Sequence, residues 1–297
     1  KSNEFHFQGG NGMPLRIFNN LSSQFAQSRL DRNSRNLGET IVTVASGERV
    51  QNSSDDGASL AISESLRSDA RAFRQGLSNI QDGLSLINNV EERGLSSIAE
   101  ILIRTRELAS LSSTGTIGST ERKAFQLEFE AQRQEINRIT STNEFLGQKL
   151  LDGSLSSDAT GDDVIIQMGL DSSTKNRINL NETLNLQATT TSGLGIDDLD
   201  ISTAEGAREA LVKIQEAVDN LSGARARVGA TQNRLNRAIQ HLGVNIENLT
   251  AAASTIRDAD VAEEVTGLTK QLLLVQTSSA MVGQANLIPE GVLLLLQ

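Results

Sequence analysis

Two histidines, His6 and His241, are the only imidazoles in 297 residues, and cysteine is absent. A histidine-rich metal site, thiolate catalysis, Cys-type zinc and disulfides are therefore excluded. His241 falls between the apolar positions Ile239 and Leu242 of a strongly helical stretch, where a solvent-facing or edge position suits it better than catalysis. Carboxylates occur as neighbours in Asp55-Asp56, Asp162-Asp163 and Asp197-Asp198, chemistry that could hold calcium. None lies in the alternating register of a calcium loop, so they read as turn and helix-cap residues. No H-E-x-x-H, G-x-S-x-G or phosphate-cradling glycine loop occurs. These residues point to no catalytic site, no cofactor, no metal and hence no enzyme.

Charge and hydropathy narrow the classes further. With 27 Lys+Arg against 37 Asp+Glu the net charge is -10, and no basic block offers a stripe for phosphates, so nucleic acid is excluded as a partner. The longest wholly apolar runs, Leu272 to Val275 and Val292 to Leu296, fall far short of the roughly 20 residues that span a bilayer. No membrane insertion is expected, and Lys1 to Gly12 carries no apolar core of a secretory signal. All eight Phe lie at or before Phe145, and Trp and Tyr are absent, so Leu, Ile, Val and Ala must pack the C-terminal half. The only prolines, Pro14 and Pro289, leave the long interval between them open to uninterrupted helix.

The chemistry that remains is association of apolar helix faces. From Leu15 to Val44, Leu30, Leu37, Ile41 and Val44 recur at helical spacing behind Phe18 and Phe25. The polar run Gln51 to Gly57 breaks that period and supplies cap candidates. A long helix then carries Leu66, Ala70, Phe73, Leu77, Ile80, Leu84 and Ile87 in a seven-residue repeat. Near Glu91 the seam shifts by one residue to Val90 and continues through Leu95, Ile98, Leu102 and Leu108. From Ala58 to Leu111 this makes about 80 Å of rod.

After the loop Ser112 to Thr120, a third helix to about Thr142 carries Phe125, Phe129, Ile136 and Ile139. Between Gly147 and Thr203 the helical period fails, and Val164 to Leu170 with Arg177 to Leu186 suggests a hairpin. The repeat returns from Ala207 to Ile256. A last helix, Val261 to Val282, sets Val261, Val265, Leu268, Leu272, Val275 and Val282 on one face, and Pro289 is expected to close it.

The fold class that follows is mainly α: an elongated antiparallel helical rod or coiled coil with paired terminal helices and a small β-hairpin region mid-chain. The two ends should pair with one another at one end of the rod, with the hairpin at the other. That pair would leave apolar surface wet, a mark of an interaction site, although ordinary ends of a helical bundle would show a similar pattern. Small and polar residues such as Ala26, Ser34, Ser278 and Ala280 thin the stripes, so the pair should be marginal alone and order as neighbours pack on it.

The ends also resemble bacterial flagellin. Leu15-Arg16-Ile17-Phe18-Asn19-Asn20 is similar to that family's opening. Ala45-Ser46-Gly47-Glu48-Arg49-Val50, Ser54-Asp55-Asp56-Gly57-Ala58 and Leu60-Ala61-Ile62-Ser63 resemble its most recognisable motif, and Arg104-Thr105-Arg106-Glu107-Leu108-Ala109 its R-x-R-E-L-A segment. Gly229-Ala230 with Asn233-Arg234-Leu235, Ile256 to Glu263, and Gln284-Ala285-Asn286 are similar to the family's C-terminal half. The chain departs from the pattern at Lys1 to Gly12, at Glu48, and at Leu287, Glu290 and Gln297.

The resemblance implies a structural subunit that polymerises into an extracellular helical filament for swimming, exported unfolded by the flagellar type III apparatus. It implies an N-terminal extension at 1–14, inner-tube helices at 15–45 and 259–297, rod helices at 46–147 and 204–258, and a hairpin-rich tip at 148–203. Self-assembly would fall to Phe18, Phe25, Leu30, Leu37 and Ile41, and to Val265, Leu268, Leu272, Val275 and Val282. An export chaperone, a filament cap and hook–filament junction proteins are the implied partners beside the homo-polymer. Arg104, Leu108 and Glu128 match positions that the innate receptor TLR5 contacts in the family. A hook–filament junction protein, or a finite secreted coiled-coil adhesin or effector, is the alternative reading.

Overall fold

The computed structural model describes residues 20–158 and 163–295, with side chains placed as far as residue 287. Phe18, the extension 1–14, Asp162 and Gln297 lie outside the described residues. The helices are α1 (Leu21–Ser46), α2 (Ser53–Asn89), a π-helical turn (Val90–Leu95), α3 (Ser96–Ser113), α4 (Ser119–Thr142), the short α5 (Leu180–Leu184), α6 (Ala204–Arg257) and α7 (Val261–Leu295). Two small antiparallel hairpins, β1 (Glu144–Phe145) with β2 (Gln148–Lys149) and β3 (Ile165–Gln167) with β4 (Arg177–Asn179), lie between α4 and α5. The mainly helical fold with a mid-chain hairpin is borne out. The chain forms two units, Lys1–Glu64 with Ala253–Gln297, and Ser65–Ala252.

The Ser65–Ala252 unit has a complete core. Ile80, Ile87, Val90, Leu95, Ile98 and Leu102 pack with Phe129 and Ile136 of α4 and with Ile214, Leu221, Val228 and Leu235 of α6. Arg225 pairs with Glu91 at 2.6 Å and Gln232 donates to Asn88 at 2.9 Å, so α6 runs antiparallel to its partner.

The π-turn explains the seam shift near Glu91. Val90 and Leu95 are five residues apart and both fully buried, a spacing an α-helix would place on different faces. One turn of i→i+5 bonding absorbs the extra residue, and the stripe resumes in α3.

The hairpin β3–β4 lies against α2 at two glycines one heptad apart. A Cβ on Gly76 would sit 2.3 Å from the Met168 carbonyl oxygen, and one on Gly83 2.1 Å from Ile166 Cδ1. Asn79, between them, donates to the Gln167 carbonyl at 3.0 Å.

At the helix ends one expectation is met and one is corrected. The regular part of the second helix starts at Asp56, which has extended φ/ψ of -160° and 94° and accepts from the N–H groups of Ala58 and Ser59. The expected stop at Pro289 is corrected: α7 runs through it to Leu295, although an interior proline removes a donor and crowds the carbonyl four residues back.

Gly76→Ala tests the hairpin's seat. Alanine favours an isolated helix by about 1 kcal/mol, yet here its methyl meets a backbone carbonyl. The expected net effect is a destabilisation of about 1–3 kcal/mol, read by chemical denaturation, with faster hydrogen exchange confined to 165–179.

Candidate assembly interface

The terminal helices meet through a backbone junction. Gly47, at a φ of 72°, closes α1 as a left-handed C-cap. Its carbonyl accepts from the Ala259 N–H at 2.9 Å, and the Arg49 N–H donates to the Arg257 carbonyl at 2.7 Å, flanking a Glu48–Asp258 antiparallel bridge. Arg257, whose side chain is only 15% exposed, pairs with Glu48 at 3.0 Å and Glu64 at 2.5 Å. Burial opposes its charge, and the hydrogen bonds and charges of Glu64 and Glu48 outweigh that, holding the guanidinium above its ordinary pKa. Glu48, a departure from the flagellin pattern, thus has a defined partner.

The acidic pair of the same connection caps rather than ligates. Asp55 accepts from the N–H groups of Asn52 and Gln51, which hold it below the usual carboxylate value. Asp56 is lowered by hydrogen bonds from Ser59, side chain first and then backbone.

From this junction α1 and α7 run antiparallel. The half-buried series Ser23, Ala26, Leu30, Asn33, Leu37, Thr40 and Val44 faces Glu264, Leu268, Gln271, Val275, Ser278 and Val282, each spaced by threes and fours and ending on α7 at buried Ala285. These are heptad seams, and the expected pairing of the two chain ends is borne out. The seam is thin: α1 contributes no buried residue. Asn20 donates to the Ala285 carbonyl at 2.7 Å, Ser23 to Asn286 Oδ1 at 2.6 Å, and Asn33 to Ser278 Oγ at 2.7 Å.

The structure divides the expected self-assembly residues into two sets. Leu30, Leu37, Leu268, Val275 and Val282 lie half-buried in the seam. Phe25 (66% exposed), Ile41, Val265 and Leu272 (43%) point away from it, with Leu21, Val42, Leu273 and Met281. The sequence singled out neither Leu273 nor Met281. On α7 apolar residues occupy every side, so no single face stands out in the pattern.

In the other unit, Arg104 of α3 binds Glu128 of α4 at 2.7 Å and Glu107 at 3.1 Å. Its hydrogen bonds to Glu128, and then to Glu107, raise its pKa. Leu108 is 1% exposed, which leaves Arg104 and Glu128 as the outward members of that trio. His241 is exposed. Among the described residues no group of His, Asp and Glu could hold a metal, and no helix is long and apolar enough to cross a membrane.

Paired helical ends that show apolar rows to solvent place the protein in the class whose terminal helices form an interaction surface. Family models carry this to a particular family: the bacterial flagellin N-terminal helical region matches residues 17–156, and the C-terminal helical region residues 211–296. The chain is 35% identical to the flagellin of Bacillus subtilis (strain 168), over 95% of this chain and 100% of that protein. It is 33% identical to the flagellar filament 30.7 kDa core protein of Treponema maltophilum, over 94% and 99%. Among solved structures, a putative flagellar hook-associated protein from Vibrio parahaemolyticus shares the fold at a TM-score of 0.55 and 19% identity, over 68% of this chain and 99% of that one. The chain belongs to the bacterial flagellin family.

Two outcomes are expected at the junction. Arg257→Met leaves two carboxylates facing each other and should destabilise the terminal unit by about 1–2 kcal/mol, less than a fully buried pair because Glu64 is half exposed; denaturation monitored in α1 and α7 reads it. The lowered pKa of Asp56 means its cap contributes fully above the unfolded value of 3.8 and is lost as pH falls through the lower folded value. Exchange of the Ala58 and Ser59 amides should accelerate below that pH, and Asp56→Asn, which keeps an acceptor but does not titrate, should flatten the dependence.

Proposed function

We propose that the chain is the structural subunit of a flagellar filament, added copy upon copy, with α1 and α7 as its assembly face. One observation carries the reading: the terminal pair holds itself together with a thin seam while Phe25, Val265, Leu272 and their neighbours stay wet. Fully burying one such side chain contributes about 1.5–3 kcal/mol, so several rows covered by neighbouring copies outweigh the cost of ordering the pair. Assembly then stabilises the terminal unit by mass action. Contacts between different faces of successive copies do not close, which yields a filament rather than a ring of fixed size.

The relatives named as flagellin and as filament core protein support the same reading, and they are structural proteins. Export through the flagellar apparatus to the cell exterior belongs to it. So do a chaperone covering α7 before assembly, a cap at the growing end and junction proteins at the base. Arg104 and Glu128 are the outward groups that a receptor such as TLR5 would meet on a free subunit.

The test separates the two sets of apolar residues. Phe25→Asp and Leu272→Asp, both outward, should abolish seeded filament growth in electron microscopy and sedimentation while leaving the subunit's circular dichroism unchanged. Leu268→Asp, in the seam, should lower the subunit's own helix content as well. Long filaments from the Leu272→Asp chain would overturn the assembly face, and finite particles from the native chain would favour a junction protein.

A further inference from the structure

We propose that Asn33 is the register-setting residue of the terminal helix pair, the side chain that makes every copy present its outward rows at the same height. The proposal rests on the filament reading for its consequence in the polymer, and on the helix pair alone for its test.

The need for such a residue follows from the composition of α7. Leu272, Leu273, Leu274 and Val275 are consecutive, and apolar positions recur on every side of the helix. A leucine or valine from α1 therefore finds an apolar neighbour at many heights, and apolar contact alone selects the pairing weakly. A polar group at a seam position selects it strongly, because it must find a partner in a half-buried site.

Asn33 occupies such a position. It sits in the seam between Leu30 and Leu37, three residues from one and four from the other. Its Nδ2 donates to Ser278 Oγ at 2.7 Å, with the Leu274 carbonyl 3.4 Å away. Ser278 is itself a seam residue of α7. A slip of one heptad sets Asn33 against Ala285 in one direction, where the side chain offers no acceptor. In the other it meets Gln271, where two amides must fit the space of an amide and a hydroxyl. The contacts of Asn20 and Ser23 with Ala285 and Asn286 agree with the same register but lie at the far end of α1, where helices fray.

Because the chain has no cysteine, engineered thiol pairs read the register directly. Ser23→Cys with Asn286→Cys reports the native register, since those side chains touch. Leu30→Cys with Asn286→Cys, and Ser23→Cys with Ser279→Cys, report slips of one heptad in either direction. Each pair is placed in the soluble full chain and oxidised mildly, and the cross-link is quantified by mass spectrometry.

With Asn33 present only the native pair should cross-link. With Asn33→Leu the two slipped pairs should appear beside the native one, which the backbone junction at Gly47 and Ala259 still favours, although the seam has become more apolar. The reciprocal exchange, Asn33→Ser with Ser278→Asn, should restore the single register, which a mere packing role would not do. A single native cross-link in the Asn33→Leu chain would overturn the proposal, and so would several registers, or none, in the chain that keeps Asn33. Loss of polymer with the native cross-link intact would count against the filament reading and leave the register assignment standing.

Discussion

The terminal unit depends on two short stretches of backbone, Gly47 to Arg49 and Arg257 to Ala259, bonding to one another. They are separated by most of the chain, and closing so long a loop carries a large entropic cost that grows only slowly with its length. The two backbone hydrogen bonds that make the Glu48–Asp258 antiparallel bridge fix the ends, and Arg257 gathers Glu48 and Glu64 around the same point. A half-buried guanidinium shared by two carboxylates ties the connection after α1, the start of α2 and the end of α6 to one point. The junction therefore brings the end of α1 to the start of α7, and the polar groups of the seam hold the pairing in register beyond it.

Burial is distributed in opposite ways in the two units. The Ser65–Ala252 unit closes on itself through Ile80, Leu95, Ile98, Phe129, Ile214 and Val228, all fully buried. The terminal unit buries almost no large side chain, and α1 none at all. The Ser65–Ala252 unit is self-contained, whereas the terminal pair, with a thin seam and exposed apolar rows, gains most of its burial only when neighbours pack on it. The stability of the terminal pair is then a property of the polymer more than of the subunit.

Much of this was legible in the sequence because heptad spacing maps onto helix faces. The one-residue shift near Glu91 is the clearest case: a discontinuity in the pattern of apolar residues corresponds to a π-turn between Val90 and Leu95. Asp56 as a cap and His241 at the surface followed from residue type and position. Other features required coordinates. Nothing in the spacing of Gly76 and Gly83 says that a hairpin carbonyl and an isoleucine lie over them. Leu108, grouped with Arg104 and Glu128 by resemblance, faces the core, since a motif records neighbours in sequence and not the face each side chain takes. On α7 the pattern failed for a physical reason: a helix apolar on all sides carries no periodic signal, so seam and outward residues such as Leu268 and Leu272 could not be told apart.

That same absence of signal shapes what the protein must do with its polar residues. An apolar face is a strong but indiscriminate source of affinity, and a filament multiplies any ambiguity in it, because one slipped subunit offers a displaced face to the next. Specificity must come from groups whose burial is costly unless matched. In the terminal pair these are short amide and hydroxyl side chains, Asn20, Ser23, Asn33 and Ser278, whose hydrogen bonds all belong to one antiparallel register. Together their hydrogen bonds favour one arrangement. In the proposed filament the exposed rows can then remain strongly apolar, since the polar groups of the seam hold them at one height, and copies meeting on those rows need only match a surface that is the same on every subunit.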